Sequence, residues 1–119
     1  MTNSRAKGSA GEREFCAYIE ARTGLVVKRN LAQSRDGQWD ILLPFNGRTY
    51  AVEVKRRRGQ PTDSDREAWM NQVERARKGT PYWPLVAYRS DRQRWRVIDQ
   101  KMMDAPVDMT LDDWLNLDY

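Results

Sequence analysis

Short apolar runs, several of them alternating with polar residues, predict five β-strands along this chain. The predicted strands cover residues 25–28, 39–43, 48–55, 84–88 and 94–98. The dipeptide Asn46-Gly47 lies between the second and the third of these runs, and it favours the two-residue turn of a β-hairpin. The second and third strands are therefore predicted to pair antiparallel.

Two further segments predict helices on the C-terminal side of these strands. Ser64 and Glu67 form a capping box, which predicts that a helix begins there and continues to about residue 78. The apolar residues of its predicted buried face are Trp69, Val73 and Ala76. A capping sequence at residues 110–113 begins a short final helix.

Residues 9–23 have the spacing of another helix, and Gly24 is a suitable residue to end it. Its apolar face contains Phe15, Cys16 and Ile19. Glu12 falls in the middle of that face, whereas Glu14 falls on the opposite side, where we expect it to face solvent. Ser9 with Glu12 is also a capping box, so Glu12 either caps this helix or points towards the sheet.

The predicted order is helix, three strands, helix, two strands and a short helix. This order indicates a mixed α/β domain whose central five-stranded sheet is flanked by helices. The length of 119 residues predicts a single domain over residues 1–119. Within it, we expect residues 1–8 to form a flexible basic arm and residues 99–119 an acidic C-terminal extension.

The predicted third strand carries an unusual pair of side chains. Because a strand alternates its faces, Glu53 and Lys55 point the same way, and the apolar residues beside them point the other way. An acid and a lysine on an otherwise apolar strand cost stability unless they are paired or bind a metal. Asp40 opens the neighbouring apolar run, so two carboxylates and an ammonium are predicted to meet. Such a group can hold a divalent metal and direct water at a phosphate.

The residue types that are absent narrow the chemistry further. The chain has no histidine, which excludes histidine-based nucleases, hydrolases and proton shuttles. Cys16 is the only cysteine, so an internal disulfide and a cysteine zinc site are also excluded. A metal must then be bound by oxygen, which favours Mg²⁺ or Mn²⁺. No apolar run reaches the length of a membrane span, and we expect a cytoplasmic protein without a membrane partner.

The charge is distributed unevenly along the chain. The net charge is +4, yet residues 99–119 contain six aspartates and one lysine and carry −5, so residues 1–98 carry +9. A basic body of this kind suits a polyanionic partner such as DNA, although it also fits a merely soluble, arginine-rich protein.

Three motifs match a known group of enzymes. Residues 7–14 (KGSAGERE) match its lysine-glycine and acid-arginine-acid opening, residues 40–42 its second motif, and Glu53-Val54-Lys55 its acid-x-lysine motif. With these motifs the chain resembles the PD-(D/E)XK nuclease superfamily, and within it the archaeal-type and phage-type Holliday junction resolvases. Trp39 stands where the superfamily's name has proline. The resemblance covers residues 5–58 best and implies a restriction-endonuclease-like core.

The resemblance also implies roles for individual residues. Glu12, Asp40 and Glu53 would hold one or two Mg²⁺ ions, for which Mn²⁺ could substitute, and the Val54 carbonyl would add a ligand. Lys55 would orient the attacking water and stabilise the developing charge. Because clustered acids repel one another, we expect the site to be weakly formed without metal.

Gln72, on the predicted second helix, either approaches this site or is only a polar residue at the helix boundary. Arg56, Arg57 and Arg58 follow the acid-x-lysine strand, and they either contact DNA phosphates or form a solvated strand end. Other basic residues expected near the DNA are Arg5, Lys7, Lys28, Arg29 and Arg35. Ser34 either binds a phosphate or serves only its turn.

Three functions agree with these features. The first is a Mg²⁺-dependent endonuclease that resolves four-way DNA junctions as a homodimer, since such junctions present two symmetric cleavage sites. The second is a repair or recombination nuclease that acts on flaps, nicks or ends. The third is a non-catalytic DNA-binding accessory protein with a nuclease-like fold.

Overall fold

The computed structural model describes residues 4–30, 39–100 and 106–117, with side chains from Ser9 onward. The helices are α1 (Ser4–Thr23), α2 (Asp63–Arg77) and α3 (Leu111–Leu115). The strands are β1 (Ile41–Phe45), β2 (Arg48–Arg57), β3 (Trp83–Ser90), β4 (Arg96–Asp99) and β5 (Val107–Thr110). None of the helices in these ranges is long and apolar enough to cross a membrane.

The five strands form one mixed sheet in the order β1-β2-β3-β4-β5. Strands β2 and β3 are parallel and are joined by α2, whereas the other neighbouring pairs are antiparallel. A mixed five-stranded sheet flanked by helices, with a short C-terminal helix, confirms the predicted fold class. The predicted β1–β2 hairpin is also confirmed: Asn46 and Gly47 have φ angles of 53° and 75°, as a tight hairpin turn requires.

Helices cover both faces of the sheet. On one face α1 and α3 pack over the sheet, and their buried residues include Phe15, Ile19, Leu111 and Trp114. On the other face α2 packs through Met70 and Val73. Val52 and Val54 belong to the α1 face and Ala51 to the α2 face, as strand alternation requires.

The strand predicted at residues 25–28 is wrong. This stretch is irregular, and only Arg29, just beyond it, forms an isolated antiparallel bridge with Ile41. Of its apolar residues only Val27 is buried, while Val26 is 73% exposed. A single buried residue does not hold a strand against the sheet. The other four predicted strands agree with β1 to β4 within two residues at each end.

The fifth strand lies instead in the acidic C-terminal segment, where none was predicted. Strand β5 pairs antiparallel with β4, with Met109 opposite Val97. The apolar pattern of β5 is hard to recognise in the sequence because the charged Asp108 interrupts it. Asp108 is compatible with a strand here because its Oδ1 accepts a hydrogen bond from Arg96 Nε at 2.8 Å and its Oδ2 accepts one from the Tyr88 hydroxyl.

Two predicted helix starts are also wrong. Helix α1 begins at Ser4 rather than at residue 9, so residues 4–8 of the expected flexible arm have helical backbone. Ser9 is therefore inside the helix, which excludes the Ser9–Glu12 capping box. Helix α2 is capped by Thr62 with Asp65 rather than by Ser64 with Glu67, and both reciprocal hydrogen bonds of that box are present.

The buried face of α2 differs in part from the prediction. Val73 is buried as expected, and so is Met70, which was not predicted. Trp69 and Ala76 are only partly buried, although they pack against the same cluster.

The acidic C-terminal segment contributes to the main core. Trp114 of α3 is fully buried, and its ring lies 5.1 Å from those of both Tyr50 and Phe45, measured between centroids. Its indole Nε1 donates a hydrogen bond to the buried Asp99 Oδ2 at 2.9 Å. The packing of this segment thus depends on an aromatic anchor at its end.

Replacing Trp114 should therefore destabilise the whole fold. Trp114→Phe removes the indole donor to Asp99 and should cost about 1–3 kcal/mol, whereas Trp114→Ala should cost about 3–5 kcal/mol. Urea denaturation followed by circular dichroism measures both losses. The exposed control Val26→Ala should change stability by less than about 0.5 kcal/mol. If Trp114→Ala were as mild as this control, the segment would not be part of the core.

Candidate active site

The site lies at Asp40, the residue directly before strand β1 begins. Strand pairing between β1 and β2 starts at Ile41 opposite Val52, and the Asp40 N–H still donates to the Val52 carbonyl at 3.0 Å. Farther along β2 the hydrogen bond is made to the side chain of Asp40, whose Oδ2 accepts from the Val54 N–H at 2.7 Å. The carboxylate of Asp40 is thereby fixed at the edge of β2.

Three carboxylates from three parts of the chain approach this edge. Glu12 comes from α1 on one face of the sheet, Glu53 points to the α2 face, and Asp40 precedes β1. The exposed fractions of the three residues are 5% for Glu12, 6% for Asp40 and 4% for Glu53. The inward orientation of Glu12 agrees with the helical pattern. Acids this deeply buried need compensating partners.

Asp40 interacts electrostatically with both of the other acids. Burial, and then the negative charge of Asp40, raise the pKa of Glu12, although Arg29 opposes this shift. Burial, and again the charge of Asp40, raise the pKa of Glu53 to about 8, although Lys55 opposes this shift. Asp40 is thus the common neighbour, and the nearby cations do not fully compensate the negative charge of the group.

Each outer carboxylate has a basic neighbour. Arg29 Nε lies 3.6 Å from Glu12 Oε1, and Arg29 Nη2 donates to Ser9 Oγ at 2.9 Å. Lys55 Nζ lies 3.6 Å from Glu53 Oε1, on the face that the strand pattern predicts. These contacts orient the carboxylates of Glu12 and Glu53.

Gln72 of α2 reaches the same carboxylate as Lys55. Its Nε2 donates to Glu53 Oε1 at 3.2 Å, so the structure places Gln72 at the site rather than only at the helix boundary. The other oxygen, Glu53 Oε2, is buried and accepts no hydrogen bond from an N–H or O–H donor of the described residues. A buried carboxylate oxygen without a donor is a candidate ligand atom for a cation.

These residues fit a hard divalent cation, which prefers oxygen ligands. The available donors are carboxylates, one of which has an unpartnered buried oxygen, and the sequence has no histidine. Within the described residues, however, no three acidic or thiol side chains already surround a single point closely enough to enclose an ion.

The basic residues predicted to contact DNA have different surroundings. Arg56 is bound to Glu14 and to Asp91, and Arg57 Nη1 donates to Asp65 at 2.6 Å while its side chain remains 42% exposed. Arg58 and Lys28 are exposed. The remaining predicted contacts lie outside the described side chains; they are Arg5, Lys7, Ser34 and Arg35.

Two features of the site were missed in the sequence. Arg29 pairs with Glu12, although it was predicted only as a DNA contact. Glu14 was predicted to face solvent, and this is wrong: it is partly buried and accepts hydrogen bonds from Arg56 and Arg89. No local signal identifies these pairs, because the partners of Glu14 lie 42 and 75 residues away along the chain.

Comparison with known proteins assigns the chain to a family. Residues 3–112 match the family model described as "Phage putative PDDEXK endonuclease". The chain belongs to this PDDEXK family. It is therefore a nuclease, of a type that generally uses divalent metals. No curated protein has significant sequence similarity to the chain.

Among solved structures, the PDDEXK chain is similar in fold to a Holliday junction resolvase, Hjc of the archaeal hyperthermophile Archaeoglobus fulgidus. The TM-score is 0.57 and the sequence identity 18%, and the match covers 88% of this chain and 89% of that one. At this identity the likeness establishes the shared fold, and it agrees with the restriction-endonuclease-like core that the motifs imply.

The raised pKa of Glu53 predicts an unusual pH dependence of stability in metal-free protein. Because the pKa is about 8 in the folded state and about 4.5 in the unfolded state, the folded protein holds this proton more tightly. The contribution of Glu53 is therefore most favourable below pH 4.5 and is lost as the pH rises towards 8. Glu53→Gln removes this loss. The free energy of unfolding of the variant, measured relative to that of wild type, should therefore be higher at pH 8.5 than at pH 5 by on the order of 3 kcal/mol.

Urea denaturation in EDTA at the two pH values measures this difference. Glu20→Gln, an exposed acid on α1, is the control and should change stability equally at both values. A difference between wild type and Glu53→Gln that does not change with pH would contradict the raised pKa.

Proposed function

We propose that this nuclease is a Mg²⁺-dependent endonuclease that cleaves four-way DNA junctions as a homodimer. The observation that carries the proposal is the buried group of Glu12, Asp40 and Glu53, in which the charge of Asp40 acts on both other acids and Lys55 lies beside Glu53. Phosphodiester hydrolysis needs a concentrated positive charge near the phosphate and an oriented water molecule. The three carboxylates would bind the cation that provides this positive charge, and Lys55 would orient the water molecule.

Glu12, Asp40 and Glu53 are the residues that would hold Mg²⁺, or Mn²⁺ in its place. The Val54 carbonyl is a suitable further ligand, because its N–H already points to Asp40 and the two groups of one residue share an edge of the strand. When bound, a divalent ion neutralises charge on the phosphate and lowers the pKa of water. Its charge would also favour the ionised form of Glu53.

Lys55 and Gln72 are assigned complementary roles around Glu53. The Lys55 ammonium, 3.6 Å from Glu53 Oε1, remains partly exposed and can reach a water molecule or a phosphate oxygen from solvent. It would orient the attacking water and stabilise the negative charge that develops on the phosphate. Gln72 donates to the same oxygen of Glu53 and would hold that carboxylate in a fixed orientation.

Exposed basic residues near the end of β2 support a nucleic-acid partner. Arg57 and Arg58 are exposed there, and Lys28 is exposed close to Arg29. We assign phosphate contacts to these three side chains and to the predicted contacts outside the described side chains. Arg29 and Arg56 already bind acids of the protein, so their first role is to support the site.

The preference for junctions rests on two arguments. The fold is shared with a structure described as a Holliday junction resolvase. In addition, the described part of the chain is occupied by the nuclease sheet and its helices, so DNA geometry is a more accessible target for it than a long base sequence. Symmetric cleavage of a four-way junction requires two active sites, which a two-fold homodimer supplies.

The experiment that tests this function compares DNA substrates of matched sequence. Labelled immobile four-way junction, flap, nicked duplex and linear duplex are each incubated with Mg²⁺, with Ca²⁺ and with EDTA. The proposal predicts paired symmetric cuts in the junction, in Mg²⁺ only. Cutting of all substrates, or of the flap alone, would favour a repair nuclease, and binding without cutting under any metal would favour an accessory DNA-binding protein.

Active-site variants serve as controls in the same assay. Asp40→Asn and Glu53→Gln should each lower the cleavage rate at least about 100-fold while junction binding persists, since each removes a ligand charge. Glu20→Gln should cleave like wild type. Loss of binding together with cleavage would contradict the assigned roles.

A further inference from the structure

An ion-pair network joins three elements beside the active site. Glu14 of α1 accepts hydrogen bonds from Arg56 Nε of β2, at 3.3 Å, and from Arg89 Nη1 of β3. Arg56 Nη1 also donates to Asp91 Oδ1 at 2.7 Å, just beyond β3. We call Glu14, Arg56, Arg89 and Asp91 the Glu14 clasp.

The clasp lies beside a close approach of α1 to β2. A side chain at Gly11 would place its Cβ 2.8 Å from Arg56 Cβ, so only glycine allows this approach without displacement. Gly11 directly precedes Glu12, and Arg56 directly follows Lys55. The contact between Gly11 and Arg56, which sets the distance between α1 and β2, therefore lies next in sequence to Glu12 and Lys55 of the site.

Glu12 and Glu53 belong to separate elements on opposite faces of the sheet, and the strand hydrogen bonds that fix Asp40 do not reach α1. The position of Glu12 relative to Asp40 consequently depends on how α1 is seated on β2. An isolated surface ion pair contributes little to such seating. The clasp differs because a single carboxylate binds arginines from two strands, and one of those arginines binds a second acid.

We propose that Glu14 and Arg56 are positioning residues, which set the distance of Glu12 from Asp40 and Glu53 and thereby the affinity of the site for a divalent cation. This inference rests on the proposed function. Groups hydrogen-bonded to metal ligands typically contribute about 10- to 100-fold to metal affinity by orienting them, and the clasp would act on Glu12 with a similar effect through the seating of α1. The role also assigns the charge of Arg56 to the protein's own acids rather than primarily to DNA.

Calorimetric titration of Mn²⁺ into the full chain, without DNA, tests the inference. Glu14→Ala and Arg56→Ala should each weaken Mn²⁺ binding at least about tenfold. Glu14→Gln keeps an acceptor of the same length and should bind Mn²⁺ more tightly than Glu14→Ala. Circular dichroism confirms that each variant is folded before titration.

Two control variants separate positioning from a general loss of stability. Glu74→Ala breaks a comparable ion pair with Arg77, 2.8 Å long, on α2 and away from α1. Trp114→Phe destabilises the fold through a different part of the core. Both should bind Mn²⁺ with wild-type affinity. Unchanged affinity in Glu14→Ala, with normal binding by wild type, would overturn the clasp alone, whereas no Mn²⁺ binding by wild type would overturn the proposed function and the clasp together.

Discussion

The hydrogen bond from the Val54 N–H to the Asp40 carboxylate is the constraint on which the site depends. It forms because β1 begins one residue after Asp40, so a side chain rather than backbone accepts from β2 at this position. The tight turn at Asn46-Gly47 determines the register of the hairpin and hence which residue of β2 meets Asp40. A slip of one residue would turn Glu53 and Lys55 to the other face of the sheet. A turn at one end of the hairpin thus determines the chemistry at the other.

The electrostatics of the site oppose the stability of the fold. Burial, and then the negative charge of Asp40, raise the energy of the ionised forms of Glu12 and Glu53, and the raised pKa values of these two acids express that cost. Sheet packing and the aromatic contacts of Trp114 offset this cost elsewhere in the molecule. Such concentrated negative charge near a lysine is typical of a site that is completed by a cation. The arrangement is readily understood in a nuclease and is difficult to explain as a purely structural feature.

Sequence reasoning succeeded where the cause of the structure is local. Strand alternation correctly placed Glu53 with Lys55, and helical spacing correctly turned Glu12 inward. The glycine turn likewise predicted the hairpin. Each of these features depends on residues within a few positions of one another.

The errors concern features that depend on distant partners. Strand β5 forms because β4 has an edge to pair with and because Arg96 and Tyr88 bind Asp108. The residues before Arg29 do not form a strand because only Val27 is buried there. Glu14 has an exposed position in the helical pattern, yet Arg56 and Arg89 reach it from two strands. Helix α2 is capped by Thr62 and Asp65, two residues before the predicted pair of Ser64 and Glu67, and helical periodicity does not choose between such closely spaced starts.

Anomalous diffraction from crystals of the protein grown with Mn²⁺ would locate the cation directly. We expect a Mn²⁺ peak within coordination distance of carboxylate oxygens of both Asp40 and Glu53, with Glu53 Oε2 among its ligands. An ordered Mn²⁺ bound elsewhere, with these two carboxylates bound to one another or to Lys55 instead, would contradict this expectation.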